Sequence, residues 1–285
     1  MKQINEDLIK DFESTLDNEP PKGKQKEQVV QDFLETNTEI FTPPNLLNHR
    51  LHFESIISKF PLDTSLITDF VYLTKSSGEW IITLVELESP NKKFFRSGIS
   101  PIRCTSEFSG ALDQIQSWQN FINKNKSQII NKLQPLMHPM KMRQNPISFQ
   151  YWLIYGRSNE KNSSAEKLEY IKSIENKHKI IIYSFDSLIT AYRNELYSYK
   201  KNILKLEKTY FKFKYLNTLP EHIFASMTSD ELSLDQDQID YLKKNGYEID
   251  EWRNGELLTH NIFYTEKTRK KMIKRENYRD LDNGV

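Results

Sequence analysis

The chain has 285 residues, 37% of them hydrophobic and 28% charged, with a net charge of +1. That length suits one large domain or a domain with an extension, and the near-neutral balance excludes a global pull on nucleic acid, so any basic surface is local. The single cysteine, Cys104, excludes an intramolecular disulfide framework and fits a reducing compartment.

No apolar run approaches the roughly 20 residues of a membrane span. The start, Met1 to Glu6, lacks the apolar core of a signal peptide. The expectation is a cytoplasmic protein with no membrane partner.

In chain order, Ile4, Leu8, Ile9, Phe12 and Leu16 carry a weak helical period. Pro20-Pro21 follows in a linker. A helix is expected from about Lys24 to Asn37, with Val29, Val30, Phe33 and Leu34 on one face. Glu27 and Gln31 lie one turn apart beside that face. Residues 46–60 hold further short elements.

Next come two strand candidates, Thr68 to Thr74 and Ile81 to Glu88, separated by Lys75-Ser76-Ser77-Gly78, which has turn chemistry. Successive strand side chains alternate faces, so Glu86 and Glu88 share a face with Ile82 and Leu84. Two carboxylates on an apolar face are costly unless a divalent cation or a basic side chain neutralises them. A hairpin with residue 74 opposite 79 sets Asp69 opposite Leu84 and diagonal to Glu86. Diagonal neighbours lie about 7–8 Å apart, a gap two carboxylates can close around one Mg²⁺. A slip of one residue would move Asp69 to the other face.

The loop at 89–105 is long for a compact domain, and such loops are often functional. Lys92, Lys93, Arg96 and Arg103 make it basic; a solvated charged loop is the plain reading, and its place after the acidic strand is what favours phosphate contact. A helix from about Ser106 to Asn123 follows, with Gln114 and Trp118 one turn apart. Residues 124–146 read as a helical turn and a loop. The strand from Phe149 to Tyr155, a helix over 163–176, a strand from Lys179 to Tyr183 and a helix from Ser187 to about Leu204 complete the order, with Ser184 or Asp186 as cap. This order implies a mixed sheet of four to five strands covered by helices on both faces.

Beyond residue 205 the character changes. Lys200, Lys201, Lys205, Lys208, Lys212 and Lys214, and then a second run from Lys267 to Arg279, are interleaved with Tyr210, Phe211, Phe213, Tyr215 and Tyr278. Basic and aromatic residues together can track a nucleic-acid backbone; an amphipathic helix with solvated lysines is the plainer reading. The six histidines do not cluster with Cys or acids at zinc spacing. With only 8 glycines and no glycine-rich phosphate loop, a nucleotide-binding fold is disfavoured. No serine nucleophile motif is present.

Six stretches in order carry a family resemblance: Glu27 to Asn37, Thr68-Asp69-Phe70-Val71, Val85 to Pro90, Ala111 to Trp118, Trp152 to Arg157, and Ile182 to Leu188. Together they resemble the Shedu family of bacterial anti-phage nucleases, whose unit belongs to the PD-(D/E)XK superfamily. The resemblance runs from about Asp11 to Leu196. It implies an α/β, restriction-endonuclease-like fold over residues 1–204, with 205–285 as a C-terminal extension of unknown role.

By resemblance, Asp69 and Glu86 bind Mg²⁺ (Mn²⁺ can substitute), joined by the Leu87 carbonyl and by Glu27 at or near the metal. Gln114, with Trp118 where RecB-like nucleases have Tyr, steadies the site or contacts DNA. Glu88 stands where the family has a lysine and takes over the attacking water. Lys92 or Lys93 can supply the missing cation, and Lys92, Lys93, Arg96 and Arg103 contact phosphate. The implied activity is metal-dependent cleavage of phage or plasmid DNA by a homo-oligomer. The alternatives are a nuclease-fold module silenced at Glu88 that binds nucleic acid or acts as a scaffold, and a RecB-like repair nuclease acting on DNA ends.

Overall fold

The computed structural model describes residues 4–43, 50–98, 100–137, 144–195 and 199–258. Helix α1 (Glu6–Asp17) starts where the Asn5 side chain accepts the Leu8 N–H, which satisfies one of the donors a helix start leaves open. It buries Leu8, Ile9, Phe12 and Leu16, the positions its period marks. Helix α2 (Lys26–Thr36) follows and buries Val30 and Leu34, together with the polar Gln31 and Glu35.

Two short strands, β1 (Arg50–Leu51) and β2 (Ser55–Ser58), precede the hairpin of β3 (Phe70–Lys75) and β4 (Trp80–Leu87). The hairpin register differs from the expectation. Lys75 lies opposite Trp80 and Phe70 opposite Val85, a shift of two residues from 74 opposite 79. The cause is the turn, which runs from Ser76 to Glu79. The Ser76 N–H donates to the Glu79 carbonyl, and the Ser76 hydroxyl accepts from the N–H groups of Gly78 and Glu79. Because strand faces alternate with period two, this shift leaves every side chain on its expected face. It brings Asp69 alongside Glu86 instead of Leu84.

Helix α3 (Ser106–Leu133) runs ten residues beyond its expected end. The polar run Asn123-Lys124-Asn125-Lys126 looks like a terminus, yet the helix only bends there. Asn125 leaves helical geometry, and its side-chain amide donates to the Phe121 carbonyl at 3.0 Å. Ile129 and Leu133 beyond the bend are buried. Strand β5 (Ile147–Ile154) pairs parallel with β4. Helices α4 (Ser158–Lys161) and α5 (Ala165–His178) lead to β6 (Ile181–Tyr183), which is parallel to β5. Helix α6 (Phe185–Asn194) is capped by Ser184 and ends ten residues before the expected Leu204.

The segment expected to finish that helix is instead strand β7 (Asn202–Glu207), which forms a hairpin with β8 (Tyr210–Tyr215). Strand β9 (Leu232–Ser233), α7 (Gln236–Lys244) and α8 (Ile249–Arg253) follow. Strand β7 pairs in parallel with β2, Ser55 beside Asn202. The sheet therefore has nine strands among the described residues, in the order β6-β5-β4-β3-β2-β7-β8-β9 with β1 on β3, not four to five. The excess comes from β1, β2 and the strands after residue 200. The basic run from Lys267 to Arg279 lies outside the described residues.

Helices cover both faces, giving the expected mixed α/β architecture. One core joins Ile82 and Leu84 to Phe108, Ile115 and Trp118 of α3 and to Leu204 and Phe211. The other joins Phe70 and Val85 to Phe12, Val30, Trp152 and Leu188. No helix among the described residues is long and apolar enough to cross a membrane.

Candidate functional site

The sheet ends in a cleft of about 750 Å³, bounded by α2, the ends of β2, β3 and β4, α3, and the β7–β8 hairpin. Its floor is the acidic end of β4. Val85 and Leu87 point to one core while Ile82 and Leu84 point to the other. Alternation therefore sends Glu86 to the α3 side at 6% exposure, and Glu88, just past the strand, is 9% exposed.

Asp69 immediately precedes β3 and lies next to Glu86. Its N–H donates to the Val85 carbonyl at 3.2 Å. Its carboxylate accepts the Leu87 N–H at 2.6 Å and the Lys59 ammonium at 2.5 Å. From α3, the Gln114 amide donates to Glu86 Oε1 at 2.5 Å. The other oxygen, Glu86 Oε2, is buried with no hydrogen-bond partner. Burial, and then the negative charges of Asp69 and Glu88, push the Glu86 carboxyl well above its ordinary value. Such a group calls for a proton or a cation.

Glu88 has its cation already. The Lys92 ammonium pairs with the Glu88 carboxylate and lies 3.2 Å from Glu27 of α2. Burial raises the Glu88 carboxyl despite Lys92. Burial alone would lower Lys92, but its bonds to Glu88 and Glu27 prevail and raise it, so it stays charged.

A second set of contacts lies behind the first. Glu35 of α2 is fully buried. It accepts from the Ser58 hydroxyl, pairs with the Lys214 ammonium of β8, and accepts from the Gln31 amide at 3.4 Å. The same Gln31 amide reaches the Asp69 carbonyl at 3.5 Å. Lys205, Lys212 and Lys214 all line the cleft.

Asp69, Glu86, Leu87, Glu88, Gln114, Glu27 and Lys92 thus come together in one cleft. Lys93, Arg96 and Arg103 do not join them. Lys93 lines a neighbouring groove with Arg157 and Lys167. Arg96 donates to the Cys104 carbonyl at 3.1 Å, and Arg103 is exposed on the same loop. Of the caps considered, Ser184 serves; Asp186 instead holds Arg157 and accepts the Ser158 N–H. Sequence reading overlooked Lys59, Glu35 and Ser58. It registered the lysines of 200–214 without placing them at the site.

No group of three or more His, Cys, Asp or Glu side chains is arranged to hold a metal among the described residues. Two adjacent carboxylates, one with a buried open oxygen, still suit a hard cation that keeps most of its waters, as Mg²⁺ does.

Fold and cleft define a mixed α/β protein with a paired-carboxylate site at the end of its central strands, walled by lysines. The family model described as Shedu protein SduA, C-terminal, matches residues 24–189, and the chain belongs to that family. No curated protein matches it. The match takes in the whole acidic end of the cleft and stops before the β7–β8 hairpin.

Proposed function

We propose that the chain is a metal-dependent endonuclease that hydrolyses DNA phosphodiester bonds, built on a core of the PD-(D/E)XK kind. Shedu membership implies a part in defence against phage, and such an enzyme meets its substrate in the cytoplasm. The supporting observation is the Asp69–Glu86 pair with its buried, unpartnered Glu86 Oε2.

Asp69, Glu86 and the Leu87 carbonyl would hold Mg²⁺ or Mn²⁺. A metal so held lowers the pKa of bound water and stabilises charge on the phosphate. Around it, Gln114 fixes the orientation of Glu86. The Glu88 carboxylate, raised by burial, accepts the proton of the attacking water. Lys92, kept charged by Glu88 and Glu27, supplies the positive charge that the family's lysine brings at position 88.

The test is incubation with circular and linear DNA, single- and double-stranded, in Mg²⁺, Mn²⁺ or EDTA. Metal-dependent cleavage that falls to background in Glu86→Ala supports the reading; cleavage that survives Glu86→Ala removes it.

The second reading is a nuclease-fold module that binds DNA without cutting it. It is favoured by the closed Lys92–Glu88 pair, which leaves the carboxylate at position 88 already neutralised. Silence in the wild type with cleavage gained in Glu88→Lys selects this reading.

A further inference from the structure

The lysines of the β7–β8 hairpin have no place in the chemistry above, and they lie beyond the stretch that the family model matches. Lys205 and Lys212 are direct cross-strand partners. Like charges set opposite each other on a ladder destabilise it. A single carboxylate, Glu207, answers both, at 2.9 Å from each ammonium. Lys214 lies two residues further along β8 on the same face. The opposite face buries Leu204, Leu206, Phe211 and Phe213 in the core, so the hairpin cannot turn its lysines away.

Two features tie this face to the cleft. The parallel pairing of β7 with β2 sets Lys205 beside the end of the strand that bears Ser58. The fully buried Glu35 then anchors Lys214 and the Ser58 hydroxyl together. A buried carboxylate spent on fixing a lysine at a cleft rim is a positioning device.

We propose that Lys205, Lys212 and Lys214 form a phosphate-backbone subsite, holding phosphodiesters of the DNA strand that flank the one presented to Asp69 and Glu86. Partly exposed ion pairs such as those with Glu207 are weak and salt-sensitive, so a polyanion displaces them readily. The occupant rests on the nuclease reading, since DNA is the polyanion that reading brings to this cleft.

The experiment is the salt dependence of binding of a fluorescent duplex to the full chain in EDTA, where metal-dependent cleavage is off. Each phosphate contact contributes about −0.9 to the slope of log K against log salt. Lys205→Gln/Lys212→Gln is expected to reduce that slope by about two and to weaken binding on the order of tenfold at low salt. Lys243→Gln/Lys244→Gln, an equal charge change on α7, leaves the slope unchanged. Should the double variant melt early, Lys212→Gln alone carries the test, with a slope change of about one.

An unchanged slope overturns the subsite, as does failure of the wild type to bind DNA. Cleavage by the wild type with an unchanged slope in the variant removes the subsite and spares the nuclease. A reduced slope in a chain that never cleaves removes the nuclease and spares the subsite.

Discussion

Lys92 places its ammonium on the carboxylate of Glu88, four residues earlier in the chain. Position 88 therefore has a lysine charge beside it, delivered by the loop after the strand. If this charge serves the cleavage step, it is replaceable from position 88 itself. Lys92→Ala is expected to lower the initial rate of Mg²⁺-dependent nicking of supercoiled DNA on the order of 10²-fold, the scale seen when one preorganised donor to a developing anion is lost. Adding Glu88→Lys in the same chain returns the positive charge and part of the rate, the rest being lost with the Glu88 carboxylate as proton acceptor. A double variant as slow as Lys92→Ala would separate the ion pair from catalysis.

Glu86 gives a prediction without DNA. In EDTA, the folded chain keeps a proton on Glu86 that the unfolded chain releases near the ordinary value of 4.5. The native state then binds more protons, so stability falls as pH rises above that value towards the folded one. Glu86→Gln keeps the oxygen that accepts from Gln114 and removes the titration. Its melting temperature is expected to exceed that of the wild type by a margin that widens from pH 4 to pH 8. Equal margins at both ends would mean that burial of Glu86 exerts no such pressure. If Asp69 and Glu86 hold Mg²⁺ as proposed, the ion reverses the order at pH 8 by binding the folded wild type more tightly than the variant.

What the sequence discloses follows from how local each signal is. Asp69, Glu86 and Glu88 are legible because strand alternation depends on neighbours alone, and a register error of two residues keeps their faces. The hairpin of Lys205 and Lys212 was legible in principle. Phe211-Lys212-Phe213-Lys214 alternates with period two, the mark of a half-buried strand, but the density of lysine invites a solvated-helix reading. Lys59 and Glu35 carry no local mark. Lys59 reaches Asp69 because β2 pairs with β3, and Glu35 meets Lys214 because β2 also pairs with β7 from far along the chain. Such contacts exist only once the sheet is assembled. The loop cations divide for the opposite reason. Proximity in sequence to the acidic strand brings Lys92 into the cleft, whereas Arg96 and Arg103 lie on a stretch whose backbone is joined by the Arg96 N–H to Arg103 carbonyl bond and whose side chains stay outside it.

Lys214 and Glu35 differ sharply in burial, and their variants should differ in kind. Lys214→Ala leaves a fully buried carboxylate with only Ser58 and Gln31 as donors. Breaking a buried pair from one side typically costs about 3–5 kcal/mol, and half-exposure of Lys214 places this variant at the low end. Lys214→Ala/Glu35→Gln, which removes the stranded charge as well, should recover much of the loss. Urea unfolding measures both. A single variant as stable as the wild type would show that the Lys214–Glu35 pair contributes nothing to stability.

Gly156 sets the last prediction, because its constraint falls on the loop that carries Lys92. It follows β5 with φ of +56°, a conformation that L side chains rarely adopt. A Cβ there would lie 2.7 Å from the Lys92 carbonyl oxygen and 3.1 Å from the Phe94 ring. Phe94 is fully buried, and its N–H is held by the Glu160 carboxylate at 2.8 Å, so neither neighbour has room to yield. Gly156→Ala therefore combines backbone strain of about 1–3 kcal/mol with a displacement of the Lys92 backbone. The expected result is a lower melting temperature together with a loss of nicking rate that persists well below the melting transition. If Asp69 and Glu86 hold Mg²⁺ as proposed, its binding should survive. If the rate loss vanishes once the variant is fully folded, the loop tolerates the shift, and Lys92 reaches Glu88 from more than one backbone position.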